Sequence, residues 1–207
     1  MYVVADVYRM PFADGVFDAA TMIRTLHHMA EPERALTEVR SALRPGASLI
    51  LEYPNKRNAK SIARWALRRQ QWDPFDPDPV EFARLNFDFH PRAVRGWLHR
   101  AGFEIERQLT VSHFRSGILK RILPLGVLVA MDSAAQLTGD LWQLSPSVFV
   151  RARAIGSPPA LAIGVWRCPE CRATTMGEIP QGVRCGNCGR IWGLRDGIWD
   201  FREPQSD

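Results

Sequence analysis

Two hydrophobic periods alternate along the chain. Residues 3–5 are a short apolar run, and residues 17–23 are a second, following the turn residues Ala13-Asp14-Gly15. Pro32 suits the first position of a helix, and Leu36, Val39 and Leu43 recur along one helical face. Arg44-Pro45-Gly46 stops that helix, and residues 48–52 form the next apolar strand. Strands alternating with helices in this way predict an α/β fold with a parallel sheet.

Residues 56–69 predict a basic amphipathic helix, with Lys60, Arg64 and Arg68 at four-residue spacing and no acid in the stretch. Residues 73–81 (DPFDPDPVE) are too rich in proline for regular structure. His90-Pro91 opens a helix with Val94, Trp97, Leu98 and Ala101 turned inward, and Gly102 ends it. A strand over 103–110, a largely helical stretch over 114–144 broken at Pro124, and a final strand over 147–154 complete the pattern. The most apolar run, 122–131, contains Pro124 and Gly126 and falls far short of the ~18 apolar residues of a membrane span. It predicts a buried or lid helix, with membrane contact the lesser alternative. Gly156-Ser157-Pro158-Pro159 reads as a linker. The expected division is a larger α/β domain over 1–155, a linker over 156–164 and a small cysteine-rich domain over 165–203.

Composition narrows the class. Of the 207 residues, 46% are hydrophobic and 24% charged, which is ordinary for a globular protein. Residue 1 leads directly into residues 3–5 with no secretory pattern, so a soluble, cytoplasmic protein is expected. The net charge is +5, and residues 1–156 carry all of the excess, with 21 Lys and Arg against 16 Asp and Glu. Only three lysines stand against 24 arginines, so the arginine content of 56–69 is no phosphate-binding signal by itself. That basic face either attracts an anionic substrate or is simply solvated.

All four cysteines lie in Cys168-Pro-Glu-Cys171 and Cys185-Gly-Asn-Cys188, with thirteen residues between the pairs. Two such knuckles at this separation place four thiolates around one Zn²⁺. Gly186 and Gly189 are expected to allow the turns of the second knuckle. Two disulfides fit poorly with a cytosolic chain, and a redox pair lacks the βαβ context it needs. Four protein ligands close the site, so the metal is expected to be structural and to supply folding energy to a ribbon with little core.

The first fifty residues also carry an ordered set of motifs: Asp6, then MPFADGVFD (residues 10–18), then Leu26-His27-His28, then RSALRPGASLILE (residues 40–52). This series closely resembles the class I S-adenosylmethionine (SAM)-dependent methyltransferases of the "methyltransferase 11" type. The resemblance covers roughly residues 3–154 and implies a Rossmann-like sheet with strand order 3-2-1-4-5-7-6, in which the strands at 103–110 and 147–154 are the closing antiparallel pair. It implies that Asp6 accepts from the adenine amino group, with the Val7 backbone at the ring edge; Asp6 capping its own turn is the alternative. Ile23 and Arg24 would lie beside the methionine part of SAM. His28 is the candidate base, against a packing role within the turn.

In that family a Gly-rich loop and two central strands precede this run. No Gly-x-Gly-x-x-Gly occurs in the 207 residues. The expectation is therefore a partial sheet lacking its first two strands, in which residues 3–5 have no neighbour, residues 17–23 form an exposed edge, and SAM binds weakly or not at all. The missing strands would come from an upstream reading frame or another chain.

After the second knuckle, residues 191–199 (IWGLRDGIW) resemble the ending of the zinc-ribbon family that activates methyltransferases, with Trp192, Gly193 and Trp199 as departures. Two function classes follow. One is SAM-dependent methyl transfer to an unidentified acceptor. The alternative is a non-catalytic, methyltransferase-like binding module whose ribbon contacts a protein. Trp166, Trp192 and Trp199 are either interface anchors or packing for the small ribbon core. With six acids and six bases over 157–207, the ribbon's charge disfavours nucleic acid.

Overall fold

The structure is a computed structural model that describes residues 1–114, 117–156 and 164–205. The larger sheet is built from strands β2 (Phe17–Met22) and β3 (Leu43–Pro54), which run parallel and are joined by helix α1 (Pro32–Ala42). Their register shifts between Phe17, opposite Leu43, and Ala19, opposite Ser48. Residues 44–47 bulge out there, with Gly46 at φ +85°, so the regular pairing starts at Ser48 as expected. Pro32 opens α1, and Leu36 and Val39 are buried along one face.

Helix α2 (Ala59–Ala66) is shorter than the basic helix expected over 56–69. Asn58 caps it by accepting from Ser61 N–H at 3.0 Å. Arg68 has φ +54° and lies beyond the helix end, so the four-residue basic spacing stops at Arg64. Lys56 is buried and donates to the Asp78 carbonyl at 2.6 Å. The irregular Pro/Asp stretch ends before Val80, where a hairpin not expected from the pattern begins: β4 (Val80–Ala83) and β5 (Asn86–Asp88).

Helix α3 (Pro91–Arg100) is capped by the His90 ring, which accepts from Arg92 N–H at 3.1 Å, and Gly102 at φ +89° follows its end. Strand β6 (Phe103–Val111) is followed by α4 (Gly117–Ile122) and α5 (Leu125–Gln136), separated at Pro124, and then by β7 (Ser147–Ala154). Strand β7 pairs antiparallel with both β3 and β6, giving the order β2-β3-β7-β6. This is the 4-5-7-6 half of the order implied by the resemblance. Leu49, Leu51, Tyr53, Val148, Val150 and Ala152 fill the core between this sheet and the helices. Strand β2 is an edge among the described residues, and Asp18, Ala19 and Thr21 along it are exposed.

The run 122–131 is not buried. Ile122 is 70% and Leu125 77% exposed, and Leu128 is the buried residue of α5. The α4–α5 hairpin is tied to β6 by Thr110 Oγ1 donating to the Ala135 carbonyl and Asp140 accepting from Gln108 N–H, and to the residues after β6 by Asp132 accepting from His113 N–H, so apolar content here does not mean core.

The second sheet follows from residue 164 onward, with one exception. Strands β8 (Met176–Ile179), β9 (Gly182–Cys185), β10 (Ile191–Arg195) and β11 (Ile198–Gln205) pair antiparallel in sequence. Asp196 (φ +51°) and Gly197 (φ +77°) supply the two left-handed positions of the tight β10–β11 turn. The fifth strand is β1 (Tyr2–Val4), which pairs parallel with β11, Val3 lying opposite Trp199. The expectation that this strand stands alone is corrected. Its free backbone groups need partners, and β11 supplies them. Val3, Ala5 and Phe12 pack against the ribbon core of Trp166, Val183, Trp192 and Phe201. The three tail tryptophans are thus core groups. Trp166 lies 5.0 Å from Trp199 and 4.9 Å from Phe201, ring centre to ring centre. Of the expected linker, residues 157–163 lie outside the described residues.

Candidate functional site

The four cysteines converge. Their sulfurs all lie within 4.8 Å of one another, with Cys168 and Cys188 Sγ 3.7 Å apart and Cys171 and Cys185 Sγ 3.5 Å apart. Each knuckle is built in the same way. The residue after the second cysteine is left-handed, Arg172 at φ +63° and Gly189 at φ +75°, and donates to the carbonyl of the first cysteine at 2.9 Å. Gly186 has another reason to be glycine: a Cβ there would sit 3.2 Å from the Thr175 carbonyl oxygen. Burial pushes the Cys168 thiol up to about 12, while the Ala173 N–H and then the Asn187 side chain hold Cys171 down to about 6. The cluster can hold one metal ion, and a bound cation would keep all four sulfurs as thiolates.

The ribbon is fastened to the larger unit by more than β1. Ala13 N–H donates to the Val165 carbonyl and Arg167 N–H to the Pro11 carbonyl, both at 2.9 Å. Phe12 stacks on Trp166. The Arg167 side chain is buried and reaches Asp14, Glu38 (3.5 Å) and Ser41 Oγ (3.2 Å). Arg172 makes a second link to Glu38 at 2.8 Å, and Arg9 meets Glu170 at 3.3 Å.

A separate cleft of about 390 Å³ opens at the carboxyl ends of β2 and β3. Ile23, Arg24, His27, Glu52, Phe82 and Ser147 help to line it. Arg24 ends β2 at φ +56°, a costly conformation for a non-glycine residue. Glu52, 8% exposed, holds it there by accepting from Arg24 N–H at 2.9 Å, and also accepts from the Ser147 hydroxyl. The His27 ring faces the cleft with Nδ1 buried and without a partner among the described residues. Burial and then the neighbouring His28 lower the His27 pKa, while Glu52 pulls it the other way, so the ring is neutral at pH 7. A neutral imidazole with a free nitrogen can accept a proton.

The sequence-named residues divide between two places. Ile23 and Arg24 line the cleft. His28 does not: its Nδ1 lies 3.0 Å from the Leu85 carbonyl, and its ring packs 4.0 Å from that of His27. Asp6 and Val7 also lie outside it. Asp6 caps the short turn over 7–9, accepting from Tyr8 N–H at 2.9 Å. The sequence offered either histidine of the pair and favoured His28, and it did not single out Glu52. An acid closing the apolar run LILE was the available signal for Glu52. Nothing in a His-His pair says which ring turns inward.

Residues 1–51 match the family described as "Methyltransferase domain". Similar curated proteins include the 2-phytyl-1,4-naphtoquinone methyltransferase of Trichormus variabilis, 38% identical over 69 residues (32% of this chain, 30% of that protein). The demethylmenaquinone methyltransferase of Thermus thermophilus is 41% identical over 54 residues (26% and 24%). An uncharacterized 37.1 kDa protein in transposon TN4556 of Streptomyces fradiae is 40% identical over 52 residues (25% and 15%). The chain therefore spans less than a third of these relatives. Among solved structures, the [4+2]-cyclase SpnF aligns with 74% of this chain and 56% of its own, at 24% identity and a TM-score of 0.45. The complex of the Haloferax volcanii Trm112 methyltransferase activator with a putative methyltransferase aligns over 75% and 61%, at 15% identity and a TM-score of 0.44.

Proposed function

We propose that this chain forms the acceptor side of a SAM-dependent methyltransferase. The observation that carries this reading is that Ile23, Arg24 and His27, all within the family-matched segment, meet Glu52 in one cleft at the carboxyl ends of two parallel strands. SAM supplies an electrophilic methyl group; the acceptor must present a nucleophile and lose a proton. His27, in place of His28, takes that proton on its imidazole, whose ring lines the cleft. Glu52 fixes the strained turn at Arg24 and places a negative charge near the imidazolium that forms. Asp6 and Val7 remain the proposed adenine contacts, with Asp6 leaving its cap on Tyr8 to make them. The methyl acceptor is unassigned.

The ribbon's ion is proposed to be zinc. A tetrahedron of Zn–S bonds of ~2.3 Å has sulfur–sulfur edges of about 3.8 Å, close to the separations of 3.7 and 3.5 Å. Its role is structural, and it holds the sheet that pairs with β1.

With no Gly-rich loop in these residues, affinity for the cofactor should be weak, with a dissociation constant near ~1 mM, or about 4 kcal/mol. Titrating S-adenosylhomocysteine into the labelled chain should shift the amide resonances of Ile23, Arg24 and Val7 with that affinity. Shifts confined to other residues would refute the site, and micromolar binding would refute the weakness.

A further inference from the structure

An exposed apolar surface lies at one rim of the cleft. Around α5 the side chains of Leu125, Val127, Val129 and Met131 are 77, 44, 55 and 40% exposed, and Leu141 and Trp142 continue the surface. These positions surround the helix and do not form one stripe, whereas a helix that seats in a protein groove buries a single face. Leu123, Leu125, Leu128 and Val129 help to line an apolar cleft of about 390 Å³, with Lys120 at its edge. The acids of the hairpin are engaged: Asp132, which also lines this cleft, pairs with His113 at 3.0 Å, and Asp140 accepts from Gln108 N–H at 2.7 Å.

Helix α2 stands beside this hairpin. A cavity of about 660 Å³ is lined both by Asn58, Ala59 and Lys60 and by His113 and Gly117, where α4 starts. Ser61 is the buried residue of α2, and Trp65 and Leu67 are exposed. No ion pair among the described residues involves Lys60, Arg64, Arg68, Lys120 or Arg121. Asp73, Asp76 and Asp78 act on the buried Lys56. The rim is therefore basic and apolar together. Ser112 lines the apolar cleft, the α2-side cavity and the His27–Glu52 cleft, so all three open at this rim.

We propose that α2 and the α4–α5 hairpin form a docking face for an anionic lipid bilayer. No helix among the described residues is long and apolar enough to cross a membrane. A twelve-residue helix such as α5 is about 18 Å long, against a hydrocarbon core of ~30 Å, so the hairpin lies in the interface. Its apolar side chains enter the acyl boundary and Trp142 sits at headgroup level. Lys60, Arg64, Lys120 and Arg121 meet the lipid phosphates. Docked in this way, the His27–Glu52 cleft opens toward the bilayer. The docking face stands independently of the methyl-transfer reading, since it needs neither cofactor nor acceptor.

The test is flotation of the full chain with phosphatidylcholine vesicles, with and without phosphatidylglycerol. The chain should float with the anionic vesicles and bind the neutral ones at least tenfold more weakly. The double variant Leu125→Glu/Val129→Glu should abolish flotation, with an unchanged far-ultraviolet circular dichroism spectrum because both side chains are exposed. Lys120→Glu/Arg121→Glu should weaken anionic binding by more than tenfold, each base contributing about five-fold. No flotation with anionic vesicles would overturn the proposal. So would flotation that survives Leu125→Glu/Val129→Glu, which would reduce it to charge alone. Light scattering that finds a dimer dispersed by that same variant would assign the face to a second copy of the chain.

Discussion

Arg167 is the residue on which the ribbon's attachment most depends, and replacing it with alanine tests that attachment. Its guanidinium lies 3.5 Å from Glu38, an attraction of about 5 kcal/mol at an effective dielectric of ~20. Removing the charge from water returns several kcal/mol of that gain. The contact with Asp14, whose side chain is half exposed, adds only about 1 kcal/mol. Glu38 keeps Arg172 after the substitution, so its charge is not abandoned. The expected loss for Arg167→Ala is therefore about 2–4 kcal/mol. Urea unfolding followed by the amide resonances of β9, β10 and β11 reads this directly, whereas fluorescence would mix Trp166, Trp192 and Trp199 of the ribbon with Trp65, Trp72, Trp97 and Trp142. With an m-value of ~2 kcal/mol/M, the midpoint of the ribbon transition should fall by about 1–2 M. A double-mutant cycle with Glu38→Gln should give a coupling of about 1–3 kcal/mol. A loss below about 0.5 kcal/mol would refute the argument, because Arg167 would then be no more than a surface residue that is covered in one conformation.

Two further outcomes follow from the same contacts. Cys185→Ser should abolish binding of one equivalent of zinc and unfold the ribbon, since such ions contribute about 10–16 kcal/mol in isolated fingers. Hydrogen exchange should then accelerate over residues 2–4 and 176–205 and stay slow in β3 and β7; unchanged protection in the ribbon would contradict it. His90 has its pKa lowered by burial and then by Arg57, Lys56, Arg95 and Arg92, and its neutral ring caps α3. The unfolded chain therefore takes up the proton first, and stability falls as pH drops below ~6.5. His90→Asn keeps a capping acceptor and should flatten that part of the pH–stability curve; an unaltered slope would place the proton elsewhere.

The parts of the fold that were legible in the sequence are those set by neighbours along the chain. The helix opened by Pro32, the His90-Pro91 start and Gly102 stop, and the strand over 147–154 all rest on local punctuation and period. The cysteine cluster was legible for the same reason, since each knuckle closes within a few residues. The partner of β1 was not, because three apolar residues carry no signal for a strand at the other end of the sequence. The exposure of α5 was not either: composition reports how apolar a segment is, and only packing reports whether anything covers it. His27 and His28 differ by one position in a short turn, and the Leu85 carbonyl, fifty-seven residues from His28, decides which ring leaves the cleft.

The parallel pairing of Tyr2–Val4 with Ile198–Asp200 also sets an order of events during synthesis. On the ribosome, β1 emerges long before β11, while β2, β3, β6 and β7 can already assemble. Until the ribbon is made and loaded with its ion, Val3, Phe12 and the backbone of β1 have no cover. The nascent chain thus carries β1 as a sticky segment until the strand that covers it is made. Closure of the ribbon governs whether that segment is sequestered or left for chaperones and proteases.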